Sequence, residues 1–303
     1  MEAYRSGGEP ESRERARIRV EREETAIARA GLLVAWGNAW LTGMAAFDDV
    51  VSHVQGEDEP HAVEGLPGGG RAGQVPLGWA LGDLRARTRS LPLLALALPV
   101  PGDIGLTGPP ELVSRTVAAG AAVLSPGLAL VPELSETRAA PGTQRDTAVT
   151  WRACPMPVPD TPSRARHALT AADLREAEHD LTTALAEAVD RLDRLDLSAA
   201  HRPPDGPAGR RRPAPADRLP PSHSPRALRL LSRADALSAA LSTIDAQSHT
   251  AVRSMSQQQV LSESLRPLVT AVRRARQAAY GWTSRVDHTA AHPDGRPVRP
   301  REQ

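Results

Sequence analysis

Residues 91–110 read LPLLALALPVPGDIGLTGPP, and the fold turns on how this stretch is read. Leu91–Val100 is a continuous apolar run bounded by Ser90 and by the turn residues Pro101 and Gly102. A run of this length argues for a buried central strand, with Pro92 confined to its first residues. The Gly- and Pro-punctuated segment from Pro101 to Pro110 then leads into a helix expected from about Pro110 to Ala119. Towards the C-terminus, Ala121–Leu124 and Leu128–Val131 flank Ser125-Pro126-Gly127, a hairpin signal. A loop over Ser135–Asp146 separates them from Thr147–Cys154, where Val149 and Trp151 alternate with Thr150 and Arg152 as in a half-buried strand.

Towards the N-terminus, Pro76–Thr88 carries Leu77, Ala80, Leu81 and Leu84 on one helical face, and His61–Leu66 reads as a short strand. Asp48 and Asp49 open a short helix that Gly56 stops. Ile27, Ala30, Val34, Gly37, Leu41 and Met44 recur at spacings of three and four, a helix ended near Gly43. Residues 1–24 interleave Glu and Arg and read as a charged, frayed arm. Residues 25–154 therefore form an α+β domain, a small mixed sheet with flanking helices.

Pro155, Pro157, Pro159 and Pro162 mark a boundary over 155–166, after which the period becomes purely helical. Residues 167–287 are expected to form an antiparallel three-helix bundle. Its first helix has Thr170 as N-cap and Leu174, Leu181, Leu185, Val189 and Leu192 on one face. A Pro/Arg-rich linker at 199–224 follows, and Ser224-Pro225 supplies N-cap and first-turn residue for the second helix. The third carries Leu261, Leu265, Leu268, Val272, Ala275 and Ala279. Proline in a helix interior costs about 3 kcal/mol, so Pro267 places the start of that helix near Ser264. Residues 288–303 read as a flexible tail.

All 37 basic side chains are arginine; the chain has no lysine, one Asn, one Phe and four Ile. These scarce residues share AT-rich codons, so a GC-rich genome accounts for the pattern. The absence of lysine excludes a Walker phosphate loop, a lysine Schiff base and a Ser-Lys dyad. One cysteine excludes disulfide frameworks and multi-Cys zinc sites. Net charge of +1 and sparse aromatics make nucleic acid an unlikely partner. No apolar run is long enough to span a bilayer, and a cytoplasmic location is expected.

Candidate sites compete with plainer roles. Asp103, Gly105 and Gly108 lie in a strand–loop–helix segment that could hold an anion on backbone N–H groups. The spacing GxxGxxG and the flanking prolines favour a structural turn, with Asp103 making an Asx-turn rather than acting as acid or base. Trp36 and Trp40 share one helix face, where they can stack a ligand ring or anchor the helix on the sheet; packing is favoured. His53 and His61 flank Glu57, Asp58 and Glu59, but no metal-ligand spacing is present and no metal or cofactor is expected. Cys154 at a strand end reads as a small hydrophobe. Arg210–Arg212 and the group Arg273, Arg274 and Arg276 read as solvated arginine.

The pieces AWGNAW at 35–40, LPVPGDIGLTGPP at 98–110, Trp151-Arg152 and LRPL at 265–268 resemble an uncharacterised family encoded in high-GC actinobacteria, over about residues 27–280. The resemblance implies a two-part cytosolic protein and transfers no activity to any residue. With no catalytic constellation, the expectation is a non-enzymatic interaction or accessory protein, with a protein partner or self-association through helical faces. The alternative is a small-molecule or anion-binding domain using the 101–108 loop.

Overall fold

The computed structural model describes residues 8–58, 60–66, 73–87, 94–100, 106, 108–137, 146–157, 174–194, 218–248 and 255–282. Helix α1 (Gly8–Leu41) is followed by α2 (Phe47–Gln55), β1 (Ala62–Glu64), β2 (Gln74–Pro76), α3 (Leu77–Arg87) and β3 (Ala95–Ala97). Then come α4 (Pro110–Ala119), β4 (Ala122–Ser125), β5 (Leu128–Thr137) and β6 (Asp146–Pro155). Three helices close the chain: α5 (Leu174–Arg194), α6 (Pro225–Ser248) and α7 (Met255–Tyr280). The six strands form one mixed sheet in the order β2-β1-β6-β5-β4-β3. Only β1 and β6 pair in parallel; the other neighbours are antiparallel. The class is α+β, a six-stranded mixed sheet with helices followed by C-terminal helices packed on one another.

Helix α1 extends back through the charged stretch to Gly8. Its buried half, from Ala26 onward, supplies the nucleus, and each added residue then gains a backbone bond without a new nucleation cost. The helix ends in a Schellman motif: Gly43 has φ +78°, its N–H reaches the Trp40 carbonyl at 2.9 Å, and the Met44 N–H reaches Ala39 at 2.7 Å.

The apolar run at 91–100 departs from expectation. Leu91, Pro92 and Leu93 lie outside the described residues; among the described ones the strand is Ala95–Ala97 and lies at the sheet edge, not its centre. It is buried because other elements cover it. Leu96 packs with Val123 and Leu130 on the α1 side, while Ala95 and Ala97 pack beneath Leu112 of α4. Asn38 of α1 grips the backbone of Leu94, and the Leu96 carbonyl accepts from Gln277 Nε2 of α7 at 3.0 Å.

Helix α7 packs along both α5 and α6. Arg274–Asp180 and Arg191–Ser264 contacts show α7 antiparallel to α5. Arg226–Glu178 and Arg233–Thr182 contacts show α5 and α6 running the same way, which their long connection permits. Ser224 caps α6 as expected, its Oγ accepting from the Arg226 N–H at 3.1 Å. Helix α7 starts at Met255, ahead of the expected Ser264, and runs through Pro267. Leu261, Leu265 and Leu268 are buried on both sides of the proline. At roughly 1.5–3 kcal/mol for each such side chain, their burial outweighs the cost of one interior proline.

The two halves share a core. Leu33, Val34, Leu81, Val123 and Trp151 of the N-terminal half cluster with Leu219, Ala227, Leu231, Ala279 and Tyr280 of the C-terminal half. Leu219, Pro220 and His223, at the end of the expected linker, are buried. A second cluster joins α5, α6 and α7 through Leu181, Ala184, Leu230, Ala234, Leu268 and Val272.

Candidate functional site

Helix α1 threads a row of polar and aromatic side chains through the molecule. Trp36 is buried, its Nε1 donates to the Arg218 carbonyl at 2.8 Å, and His53 of α2 stacks on its ring at 3.8 Å. Trp40 is buried under Arg85, whose guanidinium carbon stands 4.9 Å from the ring centroid, with Phe47 tilted against it at 5.4 Å. Between them Asn38 is fully buried: its Nδ2 donates to the Leu94 carbonyl at 2.9 Å and its Oδ1 accepts from the Leu94 N–H at 2.6 Å. Of the loop candidates, Asp103 and Gly105 lie outside the described residues; Gly108 precedes α4, with the Leu112 side chain against it.

His61 is 1% exposed and both of its ring nitrogens are occupied. Trp151 Nε1 can only donate, and it reaches Nδ1 of His61 at 3.2 Å. The ring proton therefore sits on Nε2, facing Asp58 Oδ2 at 3.3 Å. Burial pushes the His61 pKa below the ordinary histidine value, and the opposing pull of Asp58 does not cancel it. Burial acts to raise Asp58, but the hydrogen bond from His61 and the charge of the adjacent Arg29 guanidinium outweigh it and hold that carboxyl below its usual range. The Nε of Arg29 lies 2.5 Å from Asp58 Oδ2, a close ionic contact outside hydrogen-bond angles. Its Nη1 passes over Gly56, whose φ is +60°; a Cβ there would stand 3.3 Å from that nitrogen. This Arg29–Asp58–His61–Trp151 chain joins α1, the turn after α2 and two strands. With both nitrogens of His61 engaged and its ring enclosed, it presents no catalytic face.

Cys154 is buried, and burial pushes its thiol up, away from the reactive thiolate. Among the described residues no group of three or more His, Cys, Asp or Glu could hold a metal ion. On the open part of the sheet, Arg152 bridges Glu64 and Glu133, and Arg115 bridges Glu133 and Glu111. Those charges are paired at the surface.

The concave feature lies elsewhere. A cleft of about 510 Å³ opens between α1, the chain after β3, α6 and α7. Its walls include Ile27, Leu98, Leu241, Ile244, Leu265 and Val269, with Glu23, Ser262 and Arg273 as polar members. A second cavity of about 1000 Å³ shares Val20, Ile27, Ser242 and Arg276 with it and is lined by more polar groups, among them Arg218, Asp235 and Thr243. Arg276, buried and common to both, ties three helices. Its Nη2 meets Glu24 of α1 at 2.9 Å, its Nε meets Asp235 of α6 at 2.8 Å, and Ser238 Oγ donates to the same Glu24 at 3.0 Å. Glu23 lays its stem over Gly120, where the backbone has φ +78° and a Cβ would collide with Glu23 Cγ at 2.6 Å. Burial, helped by neighbouring Glu24, raises the Glu23 pKa.

Periodicity could not find Arg29, Asp58 or the Glu24–Arg276–Asp235 tie, because each joins residues far apart in the chain. One signal was available for Asn38: it is the chain's only asparagine, set inside an apolar helix.

Residues 30–167 match the model of the Rv1486c-like protein, N-terminal domain, and residues 175–277 that of the Rv1486c-like protein, C-terminal domain. "Uncharacterized protein Rv1486c" of Mycobacterium tuberculosis (strain ATCC 25618 / H37Rv) is 30% identical over 278 residues, covering 82% of this chain and 94% of the relative. "Uncharacterized protein ML1804" of Mycobacterium leprae (strain TN) is 30% identical over 287 residues, with the same two shares. No solved structure matches the chain. The chain belongs to the Rv1486c-like family.

Proposed function

We propose that this protein is a non-enzymatic accessory protein that acts by holding a small ligand in the cleft between α1, α6 and α7. The observation that supports this reading is the cleft itself. It has the volume of ordinary small-molecule sites, a mostly apolar wall with a few polar groups, and a position where the two halves of the chain meet. The apolar stripes of α5, α6 and α7 face one another, so the cleft favours a ligand over a protein partner on those faces. His61, the best-placed acid–base candidate, is enclosed, which favours binding over catalysis.

A thermal-shift panel of nucleotides, sugar phosphates, aromatic acids and aliphatic amphiphiles tests the proposal. Val269→Trp fills the cleft from a half-buried wall position, and Val189→Trp on the exposed side of α5 serves as control. At least one class is expected to raise the wild-type and Val189→Trp midpoints and to leave Val269→Trp unmoved. A panel with no such class overturns the proposal.

A further inference from the structure

Resting on the cleft reading, we infer that the cleft takes a single aliphatic chain, acyl or isoprenoid, and does not take a planar aromatic or sugar ring. The inference comes from which side chains the molecule places there. Every Trp, the one Phe and Tyr280 lie among the described residues, so their positions are known. None of them lines the cleft, although Tyr280 lines the adjoining second cavity. Trp36 and Trp40 are spent on His53, Phe47 and Arg85, Trp151 on His61, and Tyr280 on the backbone of Gly31. A ring ligand gains selectivity by stacking on an aromatic face, and this wall offers none. It offers branched aliphatic side chains from three directions instead: Ile27 of α1, Leu98 beyond β3, and Leu241, Ile244, Leu265 and Val269 of α6 and α7. Such a wall rewards apolar area without demanding ring geometry.

The charges point the same way. Arg276 is the most buried cation of the cleft, and it is already held by Glu24 and Asp235, so it is not available to grip a phosphate deep inside. The remaining lining charges, Glu23 and Arg273, are less enclosed and of opposite sign. A nucleotide or sugar phosphate would leave most of its charge beside isoleucine and leucine, at a desolvation cost. A hydrocarbon chain has no such cost, and its polar end can remain towards the mouth.

Isothermal titration of the full chain with n-alkyl carboxylates of eight to sixteen carbons, n-alkanols of the same lengths, farnesol, 2-naphthoate and glucose 6-phosphate tests this inference. All are used below their micelle concentrations. Affinity should rise roughly fourfold per added methylene, the equivalent of about 0.8 kcal/mol each, until the cleft is filled, and then level off. Alkanols should follow the carboxylates, because the chain and not the head group carries binding. Relative affinity of farnesol and the straight chains assigns the isoprenoid or acyl source. Val269→Trp and, from the facing wall, Ile244→Trp should each weaken the chains at least tenfold, with Val189→Trp unchanged; either filled variant suffices if the other does not fold. Tighter binding of 2-naphthoate or glucose 6-phosphate than of any chain overturns the aliphatic assignment and leaves the cleft proposal standing. Chain binding that neither filled variant weakens places the chain elsewhere and overturns the inference. If no ligand binds at all, both proposals fall.

Discussion

Asn38 does for Leu94 what a neighbouring strand would do, supplying one donor and one acceptor to a single residue's backbone. Both groups are buried, so removing the amide leaves a peptide N–H and a carbonyl without water or partner. Each such orphan costs about 1–3 kcal/mol, and Asn38→Leu should therefore destabilise the protein by roughly 2–6 kcal/mol. Asn38→Asp retains the acceptor for the Leu94 N–H but loses the donor and buries a charge, so it should be no better than leucine. Urea unfolding of the three proteins measures this; a loss below about 1 kcal/mol for Asn38→Leu would show that the clamp is not needed. The neighbouring Gly37 fits the same scheme, since a Cβ there would stand 2.6 Å from Leu94 Cδ1. Residue types at 35–40 drew attention in the sequence, but aromatic scarcity directed it to the tryptophans. The clamp was illegible because its partner is a backbone 56 residues away.

Helix α1 meets α7 closely enough that Gly31 lies against the Tyr280 ring, and an added Cβ would fall 2.6 Å from its Cε2 and Cζ. In an exposed helix, glycine to alanine gains about 1 kcal/mol. Here overlap with a buried ring should win, and Gly31→Ala should cost about 1–3 kcal/mol. In a Tyr280→Ala background the ring is gone, so the same substitution should become neutral or favourable. A double-mutant cycle by chemical denaturation reads the coupling; equal effects in the two backgrounds would place the strain elsewhere. The elements that could be read from sequence are those bounded by local chemistry. Gly56 after α2, Gly120 after α4, the turn before Leu128 and Ser224 before α6 each act within one or two residues. Those that could not depend on distant neighbours. The 91–100 run looks central because it is apolar, yet it is an edge strand that two helices and Gln277 enclose. Pro267 looks like a helix start, yet burial on both sides carries α7 through it.

Over the whole molecule, two buried histidines among the described residues lie near the shared core and link its parts. His61 connects the sheet to α1 through Asp58 and Arg29. His223, just before α6, donates from Nε2 to the Ala279 carbonyl near the end of α7 at 3.0 Å and meets Trp282 edge-on. Burial lowers both pKa values; for His223 the Ala279 hydrogen bond opposes this without cancelling it. The unfolded chain takes up protons on these residues near pH 6.5, whereas the folded protein does so only at lower pH. Across that window the unfolded state binds more protons, so stability rises with pH and is lost as pH falls below about 6.5. The slope is at most about 1.4 kcal/mol per pH unit for each histidine. Asp58, held low in the fold, adds its own loss only in the acid range below its unfolded value near 3.9, a separate window. Urea midpoints at pH 7.5 and 5.5 separate these contributions. The wild type should be less stable at pH 5.5, and His223→Gln, whose amide can still donate to Ala279 without titrating, should lose less. A wild-type midpoint that stays constant between the two values would contradict the assignment of both rings as buried and neutral. Equal losses in wild type and His223→Gln would leave His61, of the two described buried rings, to carry the acid sensitivity, and with it the tie between α1 and the sheet rather than the contact between the start of α6 and the end of α7.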